Sequence, residues 1–177
     1  MRYLFFLLLL SLLLISCTQT SNNKYVPKTA EGYAPVYAQK NDIVNIGYEA
    51  ATPTINAGKI YAYGNYIFQN DIAKGIHIID NTNKAKPVKV GFLKIPYNTE
   101  VAVKGNFLYA NNLNDLVVFD ISNAAAPVIV KRVDAVFPAI SQDYPMQSGV
   151  YFECVDASKG TIVTWIKKTL TNPNCQR

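Results

Sequence analysis

Two aspartates recur at matching places along the chain: Asp80 closes the run Ile76-His77-Ile78-Ile79, and Asp120 closes Leu116-Val117-Val118-Phe119. With Asp71 and Asp115 they are the candidates for acid–base work, because glycoside hydrolysis needs two carboxyl groups about 5 to 9.5 Å apart in a cleft. The competing reading is conformational, since an aspartate at a strand end bonds nearby amides in an Asx turn. Asn81-Thr82-Asn83 after Asp80 has a superficial likeness to a calcium loop, but Ala85 stands where the turn glycine belongs and Gly91 where the bidentate glutamate belongs. His77, the only histidine, has no partner legible in the sequence and is matched by Val117 in the second run, so it reads as a strand residue. No cofactor or metal site is expected. Tyr61, Tyr63, Tyr66, Tyr109 and Trp165 could stack on sugar rings, but aromatic residues at strand positions are favoured for packing alone.

The three cysteines divide by position. Leu4 to Ile15 is an apolar run broken only by Ser11, preceded by Arg2, and reads as a signal-peptide h-region too short for a permanent span. Leu14-Ile15-Ser16-Cys17 resembles a bacterial lipobox. That resemblance implies cleavage after residue 16, acylation of Cys17 and attachment to a membrane without crossing it. Thr18 follows, where many Gram-negative lipoproteins carry an inner-membrane retention aspartate, so the resemblance favours the outer membrane, on its periplasmic or cell-surface face. The alternative is an ordinary secretory signal with an incidental cysteine. Cys154 and Cys175 remain, an even count in an oxidising compartment, and are expected to form a disulfide; two unpaired thiols are the alternative.

The formal net charge is +5, with the charges scattered; only Lys131-Arg132 and Lys167-Lys168 are adjacent basic pairs. A nucleic-acid-binding protein would show a basic stripe and a recognisable module. Neither occurs, so the partners expected are a membrane, through the lipid, and an envelope protein or glycan.

The elements that must position these residues come from a duplication. Tyr63-Gly64-Asn65-Tyr66-Ile67-Phe68 returns as Lys104-Gly105-Asn106-Phe107-Leu108-Tyr109, at a spacing of 41 at the glycines and 40 at Asp80/Asp120 and Pro87/Pro127. Such a period fits one four-stranded propeller blade. Residues 17–40 read as a polar tether and 41–58 as a lead-in of undetermined structure. Repeat 1, residues 59–95, should contain strands at Ile60–Tyr63, Tyr66–Gln69, Ile76–Asp80 and Val88–Ile95, with Gly64-Asn65 as a hairpin turn. Repeat 2, residues 99–133, should repeat them at Val101–Lys104, Phe107–Ala110, Leu116–Ile121 and Val128–Val133. Both alternating sets of Leu116–Ile121 are largely apolar, which requires cover on both faces. Residues 134–177 should be irregular and then form a hairpin of Val150–Val155 with Thr161–Ile166. The fold class is therefore all-β, with β-propeller-like repeats of four-stranded antiparallel sheets, incomplete at about two blades.

These repeats resemble the LVIVD-repeat proteins of exported bacterial and archaeal chains. The shared pattern is Gly-Asn, an aromatic or aliphatic strand, a run like Leu116-Val117-Val118-Phe119-Asp120, then Asn or Ser before Ala-x-Pro, here Asn81 to Pro87 and Ile121 to Pro127. The lipoprotein start and the Cys154 region are similar to the N-terminal part of such lipoproteins from Bacteroidetes-type bacteria. The resemblance implies a propeller-like fold at the cell envelope, no established catalytic activity, and no transferred site residues. Because propellers usually close with four to eight blades, a two-blade chain is expected to be a truncated product or to complete its core by association. The expected role is noncatalytic binding or scaffolding, with recognition by loops Asn70–Gly75 and Asn111–Asp115. An envelope glycan-binding protein or hydrolase, or an inactive fragment of a longer propeller, is the alternative.

Overall fold

The structure is a computed structural model that describes residues 26–177. The signal segment, Cys17 and the first part of the expected tether lie outside the described residues. Among those described, no helix is long and apolar enough to cross a membrane.

Three sheets make up the fold. The first blade contains β3 (Ala57–Tyr63), β4 (Tyr66–Asp71), β5 (Gly75–Asp80) and β6 (Val88–Lys94), all antiparallel. The second contains β7 (Val101–Lys104), β8 (Phe107–Asn112), β9 (Asp115–Asp120) and β10 (Val128–Val133) in the same order. Tyr63 pairs with Tyr66 and Lys104 with Phe107, so Gly64-Asn65 and Gly105-Asn106 are two-residue hairpin loops. Both glycines sit at φ 56°, and only the first central residue of each loop has positive φ, as in a type II′ turn.

Details of the backbone repeat with the sequence. Val90 and Val130 are each left unpaired by a β-bulge in the last strand of their blade. Asp80 Oδ1 accepts from Thr82 N at 2.8 Å, and Asp120 Oδ1 accepts from Ser122 N at 2.8 Å. The one-residue difference in spacing falls in the β4–β5 turn, where Ala73 and Leu113 take the left-handed conformation at φ 65° and 56°. Pro87 and Pro127 each stand just before the first strand residue, where a missing N–H removes nothing from the ladder.

The core lies between the blades. Phe68, Ile76, Ile78, Leu93 and Ile95 pack against Leu108, Ala110, Val117, Phe119 and Ile121. The first strands of the blades run side by side, with an ion pair between Lys59 and Glu100 and a hydrogen bond from Tyr61 Oη to Val103 O at 2.9 Å.

The third sheet departs from the sequence reading in two respects. Residues Thr29–Ala38, inside the expected tether, form strand β1. Its buried positions are the small residues Gly32, Ala34 and Ala38, which give little hydrophobic signal, and its Pro35 lies past the two residues that pair with a second neighbour. The expected C-terminal hairpin also does not form. β11 (Tyr151–Phe152) and β12 (Thr161–Thr171) are separated by β1 in the order β12-β1-β11-β13, where β13 is Cys175–Gln176. β12 pairs with β1 from Thr29↔Thr171 to Ala38↔Thr161, satisfying far more main-chain groups than a short hairpin would. Cys154 and Cys175 are disulfide-bonded with Cα atoms 5.3 Å apart, which holds β13 beside β11.

The lead-in is also ordered. It forms a short helix α1 (Lys40–Val44) and β2 (Gly47–Glu49), which adds to the outer edge of β6. Ile43 of α1 joins Ala38, Val163, Tyr97 and Leu113 in a small cluster that ties the third sheet to the turns of the blades.

Candidate functional site

Side chains alternate across a strand, so each blade has two faces, and the ladder register assigns every residue to one of them. In the first blade, Tyr61, Phe68, Ile78, Ile76 and Leu93 share the face that packs on the second blade. Their sequence equivalents in the second blade are Ala102, Tyr109, Val118, Leu116 and Val133, which lie on its far side. The second blade instead turns Val103, Leu108, Ala110, Val117 and Phe119 inward, whose equivalents are Ala62, Ile67, Gln69, His77 and Ile79. The blades therefore stack head to tail, the front of one on the back of the next.

Residues 56–94 and 97–135 each match the LVIVD repeat. The two blades are LVIVD repeats. No curated protein and no solved structure matches the chain. The match and the antiparallel blades agree on propeller-like repeats, the fold class read from the sequence.

Head-to-tail stacking leaves one outer face on each LVIVD repeat, and the two are finished differently. On the first repeat, residues 52–56 run across the sheet. Asp71 accepts from Ile55 N at 2.8 Å and Asn56 N at 2.7 Å, while Lys89 Nζ reaches Thr52 O at 3.2 Å and Thr54 Oγ1 at 2.6 Å. Under this strap His77 is fully buried, with Nε2 3.2 Å from Asp71 Oδ2 and its ring 4.8 Å from Phe92. Burial pushes the imidazole below its ordinary value of 6.5, and the Asp71 carboxylate offsets only part of that, so His77 is neutral with its proton on Nε2. Burial would raise Asp71, but the Ile55 and Asn56 amides and His77 outweigh it and hold the carboxyl below the usual range.

The Asp71–His77 pair was not legible from spacing alone. The clue is the register Gln69↔His77, which puts residues 71 and 77 on one face of a hairpin. The inward residues of the second LVIVD repeat at these positions are Asn112 and Val117. There Val117 is covered by the other blade's side chains, while Asn112, like Asp71, bonds main chain, donating to Ile43 O and Pro96 O.

The loops expected to project for recognition expose Ile72–Lys74 at the first turn but turn their leading residues inward. Asn70, Asp71, Asn111 and Asn112 are all buried. Asn98 Nδ2 donates to Asn111 O at 2.9 Å, Asn111 Oδ1 accepts from Thr99 N and Glu100 N at 2.9 Å, and Asn112 Nδ2 donates to Ile43 O at 3.0 Å. Asn70 also bonds Asn98. Asp115 receives Arg132 Nε at 3.0 Å and Ala135 N at 2.9 Å. Asparagines replace the hydrophobic residues a loop lacks, and they fasten the turns of both blades together. Asp80 and Asp120 are at turns, where hydrogen bonds from Thr82 and Ser122 lower their carboxyl groups. Each of the four candidate carboxylates thus has a conformational partner. Among the described residues no three His, Cys, Asp or Glu side chains are grouped to hold a metal.

On the outer face of the second LVIVD repeat Val118 is buried and Tyr109 and Leu116 are half-buried, while the rim is exposed. Phe107, Val128, Val130 and Val133 are exposed there or along its edge, and Val128 is 62% exposed. A groove of about 270 Å³ runs between Ala102, Tyr109, Asn111, Leu116 and Phe137. Among the described residues, no strand pairs with the outer edge of β10 as β2 does with β6. Phe137, positioned by a Phe137 N to Asn114 O bond of 2.9 Å, folds over one end of the groove.

Proposed function

We propose that this protein is a lipid-anchored protein of the bacterial outer membrane whose LVIVD repeats act without catalysis, as a binding or scaffold module. The observation that carries the reading is the asymmetry of the outer faces. The first is closed by a hydrogen-bonded strap, whereas the second lines a groove with Tyr109 and Leu116, at the positions whose equivalents, Phe68 and Ile76, pack against a blade. A surface built like an internal interface fits a partner built like the other half of it: a β-sheet with small aliphatic residues, such as the inward face around Ala110 and Val117. The hydrolase alternative has no geometric support in Asp71, Asp80, Asp115 and Asp120, each of which holds a turn or a strap.

Photo-crosslinking in the native envelope tests the binding face. A photoreactive residue at Phe107 or Val130 should form a discrete adduct that a Leu116→Asp change removes, while one at Thr54 on the strapped face should not. Equal labelling from both faces would overturn the reading. Anchoring is tested separately by metabolic labelling with a fatty-acid analogue: Cys17→Ala should abolish incorporation, and undiminished labelling contradicts a lipid at Cys17.

A further inference from the structure

A second cavity, which shares no lining residue with the blade groove, lies between β1, β12 and the irregular segment 138–147. It encloses about 490 Å³, within the range of small-molecule sites, and its wall includes Tyr33, Ile140, Tyr144, Met146, Trp165 and Arg177. The wall is preformed. Trp165 Nε1 donates to Ser141 O at 3.1 Å and its ring stands edge-on to Phe152, with centroids 5.6 Å apart. Gln142 clamps the segment to β12 in both directions, donating to Ile162 O at 3.1 Å and accepting from Ile162 N at 2.8 Å.

Arg177 supplies the cavity's charge. Its guanidinium lies over the Tyr144 ring at 4.2 Å, and Nη1 donates to Pro145 O at 2.5 Å and Met146 O at 2.7 Å. Nε and Nη2 have no partner among the described residues. The wall has no acidic side chain to neutralise it.

We propose that this cavity binds a small amphiphile, an aromatic or aliphatic body seated against Trp165, Tyr33 and Ile140 with a carboxylate or similar anion on Arg177. Apolar rings and a methionine supply most of the contact, and too few hydrogen-bonding groups converge to read a polyhydroxylated sugar. A planar guanidinium with two unspent donors fits a carboxylate's two oxygens. The proposal is independent of the blade face and of what binds there.

Trp165 is the only tryptophan in the chain, so its emission reports this cavity alone. The experiment titrates the full chain in lipid nanodiscs with phenylbutyrate and with its uncharged amide, subtracting empty nanodiscs. Phenylbutyrate should change Trp165 emission saturably and bind about tenfold more tightly than the amide. Arg177→Ala should remove that preference. Because Arg177 also braces Pro145 and Met146, Thr164→Glu serves as a second variant: it places an anion at an exposed wall position and should weaken phenylbutyrate while sparing the amide. Equal affinity for acid and amide, no saturable response below about 1 mM, or an unchanged preference in Thr164→Glu would overturn the proposal.

Discussion

Replacing Asp71 with asparagine tests whether the strap over the first blade is held by charge-assisted hydrogen bonds. The carboxylate accepts from Ile55 N at 2.8 Å, Asn56 N at 2.7 Å and His77 Nε2 at 3.2 Å. Hydrogen bonds to a charged group contribute about 1.5–3 kcal/mol each. Ile55 and Asn56 are exposed, so water can replace part of their bonding, whereas buried His77 has no such recourse. An amide oxygen retains one acceptor but turns an NH2 toward the remaining donors. The expected loss for Asp71→Asn is therefore about 2–4 kcal/mol, read as a lower urea midpoint by far-UV circular dichroism. Installing His77→Val as well recreates the Asn112/Val117 pair of the second repeat and removes the stranded imidazole N–H. The double variant should be more stable than the sum of the single losses implies, by at least about 1 kcal/mol. A coupling below about 0.5 kcal/mol would refute the claim that the two side chains act as a unit.

The same pair sets an acid response. His77 is neutral when folded and its folded value is depressed, so as pH falls through 6.5 the unfolded chain gains a proton first and stability declines by up to about 1.4 kcal/mol per pH unit. Asp71 is depressed too, and its contribution, present above the ordinary carboxylate range, is lost as pH drops through its folded value. His77→Val should erase the first decline and leave the second, as measured by urea midpoints across pH. Reducing the Cys154–Cys175 bridge, with a sequence separation of 21, should cost about 3 kcal/mol by loop entropy and loosen the third sheet before the blades, as hydrogen exchange would resolve. Gly75→Ala should lower the urea midpoint by more than about 1 kcal/mol of stability, because φ is 149° and an added Cβ would stand 2.0 Å from Leu93 O.

Much of the repeat architecture was readable because it is local. Hairpin turns at Gly64 and Gly105, Asx turns at Asp80 and Asp120, and period-two apolar strands are written in residues close in sequence, and their duplication confirmed each by the other. Both alternating sets of Leu116–Ile121 are largely apolar and called for cover on two faces; Val117, Phe119 and Ile121 pack between the blades and Val118 is buried on the other side, where Leu116 is only half-buried. The Cys154–Cys175 pairing expected from an even count is present.

The chain's sequence by itself determined two β blades, their turns and the residues on each side of every strand, since steric and hydrogen-bonding preferences act over a few neighbouring positions. Tertiary structure decided which sides are covered. That β1 would leave the expected tether to pair with β12 depends on a contact spanning Thr29 to Thr171, which no local pattern encodes. That Asp71 would lie beside His77 beneath main chain, that Asn111 and Asn112 would turn inward, and that Arg177 would close a cavity on Trp165 also depend on long-range packing. Burial makes Asp71, His77, Asn111 and Asn112 consequential, because once water is excluded each must find a partner within the fold.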